Sequence, residues 1–124
     1  MGVAHHTHFL VWFELGRTEL MRALGCTYGE LEDRRAVYFP VIEAGARYRE
    51  PARYDEVVNV DTVLGSVSGA RVRFEYTVSR QTDGTVLATG FTEHASVGES
   101  GRPTRIPADL GRRLRGEGLE NDNR

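Results

Sequence analysis

The feature that most constrains this chain is a helical run from about His8 to Leu24 that is apolar over more than one stripe. Phe9, Phe13, Leu20 and Leu24 recur at helical spacing, and Trp12, Leu15 and Met21 widen the face. Such a helix should be covered by a sheet rather than lie on a surface. Thr7 is the expected N-cap and Gly25 the expected C′ residue, since glycine accepts positive φ without penalty. Gly16, mid-helix, weakens the helix but permits close backbone approach.

The chain beyond this helix is mostly strand-like. Thr27 to Arg35 is polar and charged and reads as a short helical turn. Tyr38 to Arg49 is a strand, ended by Pro51, and Glu56 to Val67 is another, with Val58, Val60 and Leu64 on one face. After a turn at Ser68-Gly69, Val72, Phe74, Tyr76 and Val78 alternate strictly with Arg71, Arg73, Glu75, Thr77 and Ser79. Asp83-Gly84 signals a hairpin before a last strand from about Thr85 to Val97. Ser100-Gly101-Arg102-Pro103 breaks that strand, and Pro107 opens a short helix. The order is one long helix and then four antiparallel strands, which predicts an α+β fold with a curved sheet wrapped around the helix. The expected organisation is one domain over residues 1–115 and a frayed polar tail over 116–124.

Composition narrows the function classes. Sixteen basic and eighteen acidic side chains leave a net charge of −2, with no nucleic-acid footprint. The lone Cys26 rules out an internal disulfide framework, fits a reducing cytoplasm, and reads as packing rather than as a nucleophile. Glu14 interrupts the apolar run a signal peptide needs, His6 stands where a myristoylation signal wants Ser or Thr, and nothing reaches membrane-spanning length.

Three places offer chemistry. The turn Gly2-Val3-Ala4-His5-His6 precedes the helix N-terminus, where unsatisfied N–H groups and the positive dipole end suit a polarised carbonyl or an oxyanion. A histidine there can hydrogen-bond a substrate carbonyl or orient a water, or it can be a surface or capping residue. Metal binding by His5, His6 and His8 is disfavoured, because their spacings do not bring all three to one helical face and no second ligand cluster occurs further along. Glu14 lies eight residues after His6 and is a candidate general base; on spacing alone an ion pair with Arg17 is the stronger reading. Ser66, Ser68 and Arg71 flank a hairpin turn that suits a phosphate, with an ordinary solvated hairpin as the stronger alternative.

Together these residues resemble the hot-dog-fold acyl-CoA thioesterases of the 4-hydroxybenzoyl-CoA thioesterase family, in the branch that includes the Tol–Pal-associated enzymes. That branch carries a pattern like G-V-V-x-H-x-x-Y-x-x-x-F-E-x-A-R-x-E. Here it stands as Gly2-Val3-Ala4-His5-His6-Thr7-His8-Phe9 and then Trp12-Phe13-Glu14-Leu15-Gly16-Arg17-Thr18-Glu19. Phe39-Pro40-Val41, Tyr48-Arg49-Glu50-Pro51-Ala52, Gly90-Phe91-Thr92 and Arg105-Ile106-Pro107 are supporting matches.

The resemblance implies a long helix wrapped by a sheet of five or more strands, in homodimers or homotetramers with sites at the dimer interface. It implies hydrolysis of an acyl- or aroyl-CoA thioester to a free acid and CoA, with no metal and no cofactor beyond the CoA of the substrate. His6 matches the site histidine. The backbone around His5, His6, Thr7 and His8, with Gly2 and Val3, matches the carbonyl-polarising helix start. Ser66, Ser68 and Arg71 lie near where the family meets the CoA nucleotide. The family also has a first strand whose terminal aspartate is nucleophile or base. By register that aspartate would fall two residues before Met1, so the strand is expected to be missing from this chain. A start at an internal methionine or a truncated sequence is the leading explanation. A short protein that has lost the carboxylate, or one in which Glu14 substitutes for it, are the others. The rival functions are a hot-dog hydratase, for which the paired Asp/His is lacking, and an acyl-CoA-binding protein without catalysis.

Overall fold

The computed structural model describes residues 6–25, 27–52 and 56–115, without the side chains of 6–8 and 33–35. The elements run α1 (His6–Ala23), α2 (Tyr28–Arg35), β1 (Val41–Tyr48), β2 (Val58–Ser68), β3 (Arg71–Arg80), β4 (Val86–Ala95) and α3 (Ala108–Leu114). The strands form one antiparallel sheet in the order β1-β4-β3-β2, and α1 packs against β2, β3 and β4. This is the α+β arrangement expected, with four described strands where the resemblance implied five or more. Among the described residues β1 and β2 are the two sheet edges.

The alternation in β3 sets the layering. Val72, Phe74, Tyr76 and Val78 are all buried toward α1, while Arg71, Arg73 and Glu75 alternate onto the opposite face. Phe9, Phe13 and Met21 of α1 are buried against them, so the spacing of four residues delivers one side chain per turn to the sheet. A Cβ at Gly16 would stand 2.3 Å from Thr62 Oγ1 and 3.0 Å from Val60 Cγ1. The glycine is therefore what lets the helix lie close on β2. Leu15 corrects the sequence reading: it is 58% exposed, because it lies off the covered face of α1 that carries Phe9, Phe13, Gly16, Met21 and Leu24. Leu10 and Val11 are exposed as well.

Helix α1 starts at His6, two residues earlier than periodicity indicated, so Thr7 lies inside the first turn and is not its N-cap. Gly25 closes the far end at φ +84°. The polar segment after it is a full two-turn helix, α2, whose N-cap Thr27 accepts the Glu30 N–H at 3.2 Å. β1 is shorter than the segment expected from Tyr38 to Arg49. Tyr38 pairs separately with Val97, and Pro40, which has no N–H, separates that bridge from the strand. A bulge between Leu64 and Ser66 in β2 lets Val67 rejoin the core-facing row. Cys26 and residues 116–124 lie outside the described residues.

Candidate active site and its surroundings

Of the residues nominated around the first turn, Gly2, Val3 and His5 lie outside the described residues. His6 opens α1, with Thr7 and His8 in the same turn. The first N–H groups of a helix have no carbonyl one turn back, and no acidic residue occupies this first turn to compete for them. Glu14 is two turns further along. Eight residues of helical rise set its backbone about 12 Å from that of His6 along the axis. The Glu14 carboxylate is 70% exposed and lies 3.8 Å from the guanidinium of Arg17, whose side chain is only 11% exposed. The ion pair favoured on spacing is therefore present. Glu19 is similarly held by Arg22 at 2.7 Å.

Arg17 stands in the buried stripe of α1, and the sheet beneath it carries a polar chain that sequence reasoning missed. The Tyr76 hydroxyl lies 2.6 Å from Thr92 Oγ1, which lies 2.9 Å from His94 Nε2; His94 Nδ1 is 2.9 Å from the Phe39 carbonyl. A carbonyl can only accept, so Nδ1 carries the proton and the neutral ring receives the Thr92 hydroxyl at Nε2. Thr92 in turn accepts from Tyr76. The chain thus has one consistent direction from Tyr76 to Phe39. Burial pushes the His94 pKa down, and the cationic Arg17 adds to this, while the hydrogen bond to Phe39 acts the other way. His94 is 1% exposed and sits edge-on to Phe74, so it holds the core rather than facing a substrate. The signal was present in the sequence: Thr92 and His94 are two apart, on the inward register of the last strand.

The hairpin residues Ser66, Ser68 and Arg71 do come together. Ser68 stands opposite Arg71, and Ser66 opposite Arg73, on the face away from α1. Their charge is largely compensated. Glu93 lies 3.8 Å from both Arg71 and Arg73, Glu75 lies 3.2 Å from Arg73, and Arg73 also stacks 4.0 Å from the Phe91 ring centroid. Beside them a cavity of about 640 Å³ opens between Gly45, Arg47, Asp61, Val63 and Phe91. No group of three or more His, Cys, Asp or Glu able to hold a metal occurs among the described residues, and no described helix is long and apolar enough to cross a membrane.

A helix seated in an antiparallel sheet, with a histidine opening that helix, can be compared with known proteins. Residues 1–114 match the thioesterase-like superfamily. The chain belongs to that superfamily. Its fold is the hot-dog fold of these proteins. A crystal structure of a hypothetical protein from Thermus thermophilus superposes with a TM-score of 0.86 at 40% identity, covering 94% of this chain and 87% of that one. A Bacillus subtilis protein provisionally named as an acyl-CoA thioesterase is 34% identical over 76 residues, 61% of this chain and 54% of that protein. The acyl-CoA thioesterase YbgC of Haemophilus influenzae is 33% identical over 81 residues, 65% of this chain and 60% of that protein. The chain thus spans little more than half the length of these two relatives. Both of these relatives carry the name of an acyl-CoA thioesterase.

Proposed function

We propose that this chain is a cytoplasmic acyl-CoA thioesterase of the 4-hydroxybenzoyl-CoA thioesterase family, in its Tol–Pal-associated branch. The observation that carries the reading is the match to the thioesterase-like superfamily through residues 1–114, which includes the helix that His6 opens. In the proposed reaction water attacks the thioester carbonyl carbon. The oxyanion is stabilised by N–H groups of the first helical turn, and His6 orients the water or the carbonyl oxygen. The C–S bond then breaks, the acyl group leaves as a carboxylic acid, and the sulfur takes a proton to give free CoA. Glu14 is the candidate base. No cofactor is required beyond the CoA of the substrate.

The separation of about 12 Å between His6 and Glu14 along α1 supports a site built from two copies, each supplying one of these groups. Exposed Val41, Ile42 and Tyr48 on the edge strand β1, with Leu10, Val11 and Leu15 on α1, support a homodimer or homotetramer. Light scattering after size exclusion should show that state.

A second reading, binding of acyl-CoA without hydrolysis, is favoured by one observation: the Glu14 carboxylate is exposed and occupied by an ion pair with Arg17 rather than enclosed in a site. Free-thiol release from a panel of acyl- and aroyl-CoAs separates the two. Thioesterase activity should be unaffected by EDTA and should fall about a hundredfold in His6→Ala and in Glu14→Gln. Saturable binding of the panel with no thiol released, from the chain and from a form extended by any in-frame upstream codons, would exclude the hydrolytic reading.

A further inference from the structure

The sheet face turned away from α1 has no part in the chemistry above. Strand pairing sets its outward side chains in rows that cross the sheet from the β1 edge to the β2 edge. One row runs Arg47, Thr89, Thr77 and Asp61. The next runs Gly45, Phe91, Glu75 and Val63. In a third, Glu93 of β4 stands 3.8 Å from Arg73 of β3. Arg47 and Asp61 are exposed at opposite edges. The second row is uneven in height. Val63 is 56% exposed at its β2 end. At the β1 end the Phe91 ring takes the place a side chain at position 45 would fill, since a Cβ on Gly45 would stand 2.6 Å from it. The hollow of about 640 Å³ lies over these rows.

A face with this order is complementary to itself. Two sheets packed face to face keep their strands within about 30° of each other. A two-fold axis running along the strands, between β3 and β4, meets that condition. It lays β4 on the partner's β3 and β1 on the partner's β2. Arg47 then faces the partner's Asp61, and Asp61 faces the partner's Arg47. Nearer the axis, Arg73 faces the partner's Glu93 and the reverse, so four charges of alternating sign surround it. Phe91, capped by its own Arg73 at 4.0 Å, lies against the partner's Glu75. The raised Val63 end of the second row meets the low Gly45 end. An axis across the strands instead lays each strand on its own copy. Placed on any of the three rows, it sets Arg47 on Arg47, Glu75 on Glu75 or Arg73 on Arg73. Four strands of about ten residues make a face of roughly 600 Å² in plan, of the order of the area per partner in a specific interface.

We infer that the outer sheet face binds a second copy of this chain about a two-fold axis parallel to the strands, with Arg47 and Asp61 as its two reciprocal outer pairs. The occupant is a second copy because symmetry alone supplies the opposite charge in each row. This surface is separate from the β1 edge and from the exposed side of α1, which support assembly through other faces. It is also independent of the thioesterase reading.

Sedimentation velocity of the whole chain over a concentration series tests this. Arg47→Asp and Asp61→Arg each replace two opposite-charge contacts by two like-charge ones. Each should weaken the association about a hundredfold and halve the mass of the parent particle. The variant carrying both changes restores opposite charges across the axis and should recover the parent mass. Rescue of this kind reports on two copies, because within one copy the two positions lie three strand spacings, about 14 Å, apart. Both positions are exposed, so circular dichroism should show all three variants folded as the parent. Parent mass in both folded single variants would overturn the inference and leave assembly through β1 and α1 standing. A double variant as small as the single ones would overturn it too. A parent that is monomeric throughout would overturn both this contact and that assembly.

Discussion

Gly90 is the position where one added methyl group should do most damage. It lies on β4, opposite Ala46 of β1 and Tyr76 of β3. A Cβ there would stand 2.5 Å from two atoms of the Phe13 ring and 2.6 Å from the Gly45 carbonyl oxygen. Phe13 is fully buried and stacked on Tyr76, with centroids 4.4 Å apart and planes 7° from parallel. Tyr76, the partner in that stack, is itself held by Thr92. The carbonyl belongs to a neighbouring strand and moves only with that strand. Gly90→Ala therefore requires α1 to lift or β1 to separate, and overpacking of this kind costs about 3 kcal/mol. At roughly 4 °C per kcal/mol for a domain of this size, the melting temperature should fall by about 12 °C. Gly98 is the control: it has open space around its Cβ position, so Gly98→Ala should change stability by less than about 0.5 kcal/mol. Thermal unfolding followed by circular dichroism measures both. The displaced helix also carries Glu14, so the proposed hydrolysis should suffer below the melting range. Equal melting temperatures for the two variants would show that Phe13 and the strand are not locked as described.

Other consequences can be tested alongside. His94 is buried and neutral, with its pKa held down, so the unfolded chain takes up a proton as pH falls through about 6.5 while the folded one resists it. Its contribution to stability is therefore complete above that pH and declines below it. Chemical denaturation at a series of pH values should show the decline, and His94→Gln should flatten it; an equal slope in the variant would assign the effect to other groups. Thr27→Ala removes the cap on the Glu30 N–H and should cost about 1 kcal/mol, seen as a lower urea midpoint with an unchanged slope. Tyr76→Phe leaves Thr92 without its donor while preserving the stack on Phe13, and should cost about 1 kcal/mol by the same measurement.

Much of this architecture was legible in the chain itself. The strict alternation from Arg71 to Ser79, the fourfold spacing of Phe9 and Phe13, and the glycines at 25, 69 and 84 are local signals. Each reports a conformation or a buried face that a residue and its near neighbours decide, and those glycines do adopt positive φ. The same locality explains the errors. Leu15 satisfies an apolar count but is left exposed, and only the position of the sheet decides which face of a helix is covered. His6 and Glu14 could be nominated because histidine and carboxylate chemistry is a property of the residue type. Their separation along α1 is a property of the helix, and it turned a pair of candidates within one chain into an argument for two copies. Thr92 and His94 share the inward register of β4, but only the packed sheet brings Tyr76 of β3 to them and completes the hydrogen-bonded chain. Sequence determined the elements, their order and the chemistry available, since these depend on side-chain type and short-range periodicity. Tertiary structure alone decided which faces are buried and which charges meet, because those depend on distances between residues far apart in the chain.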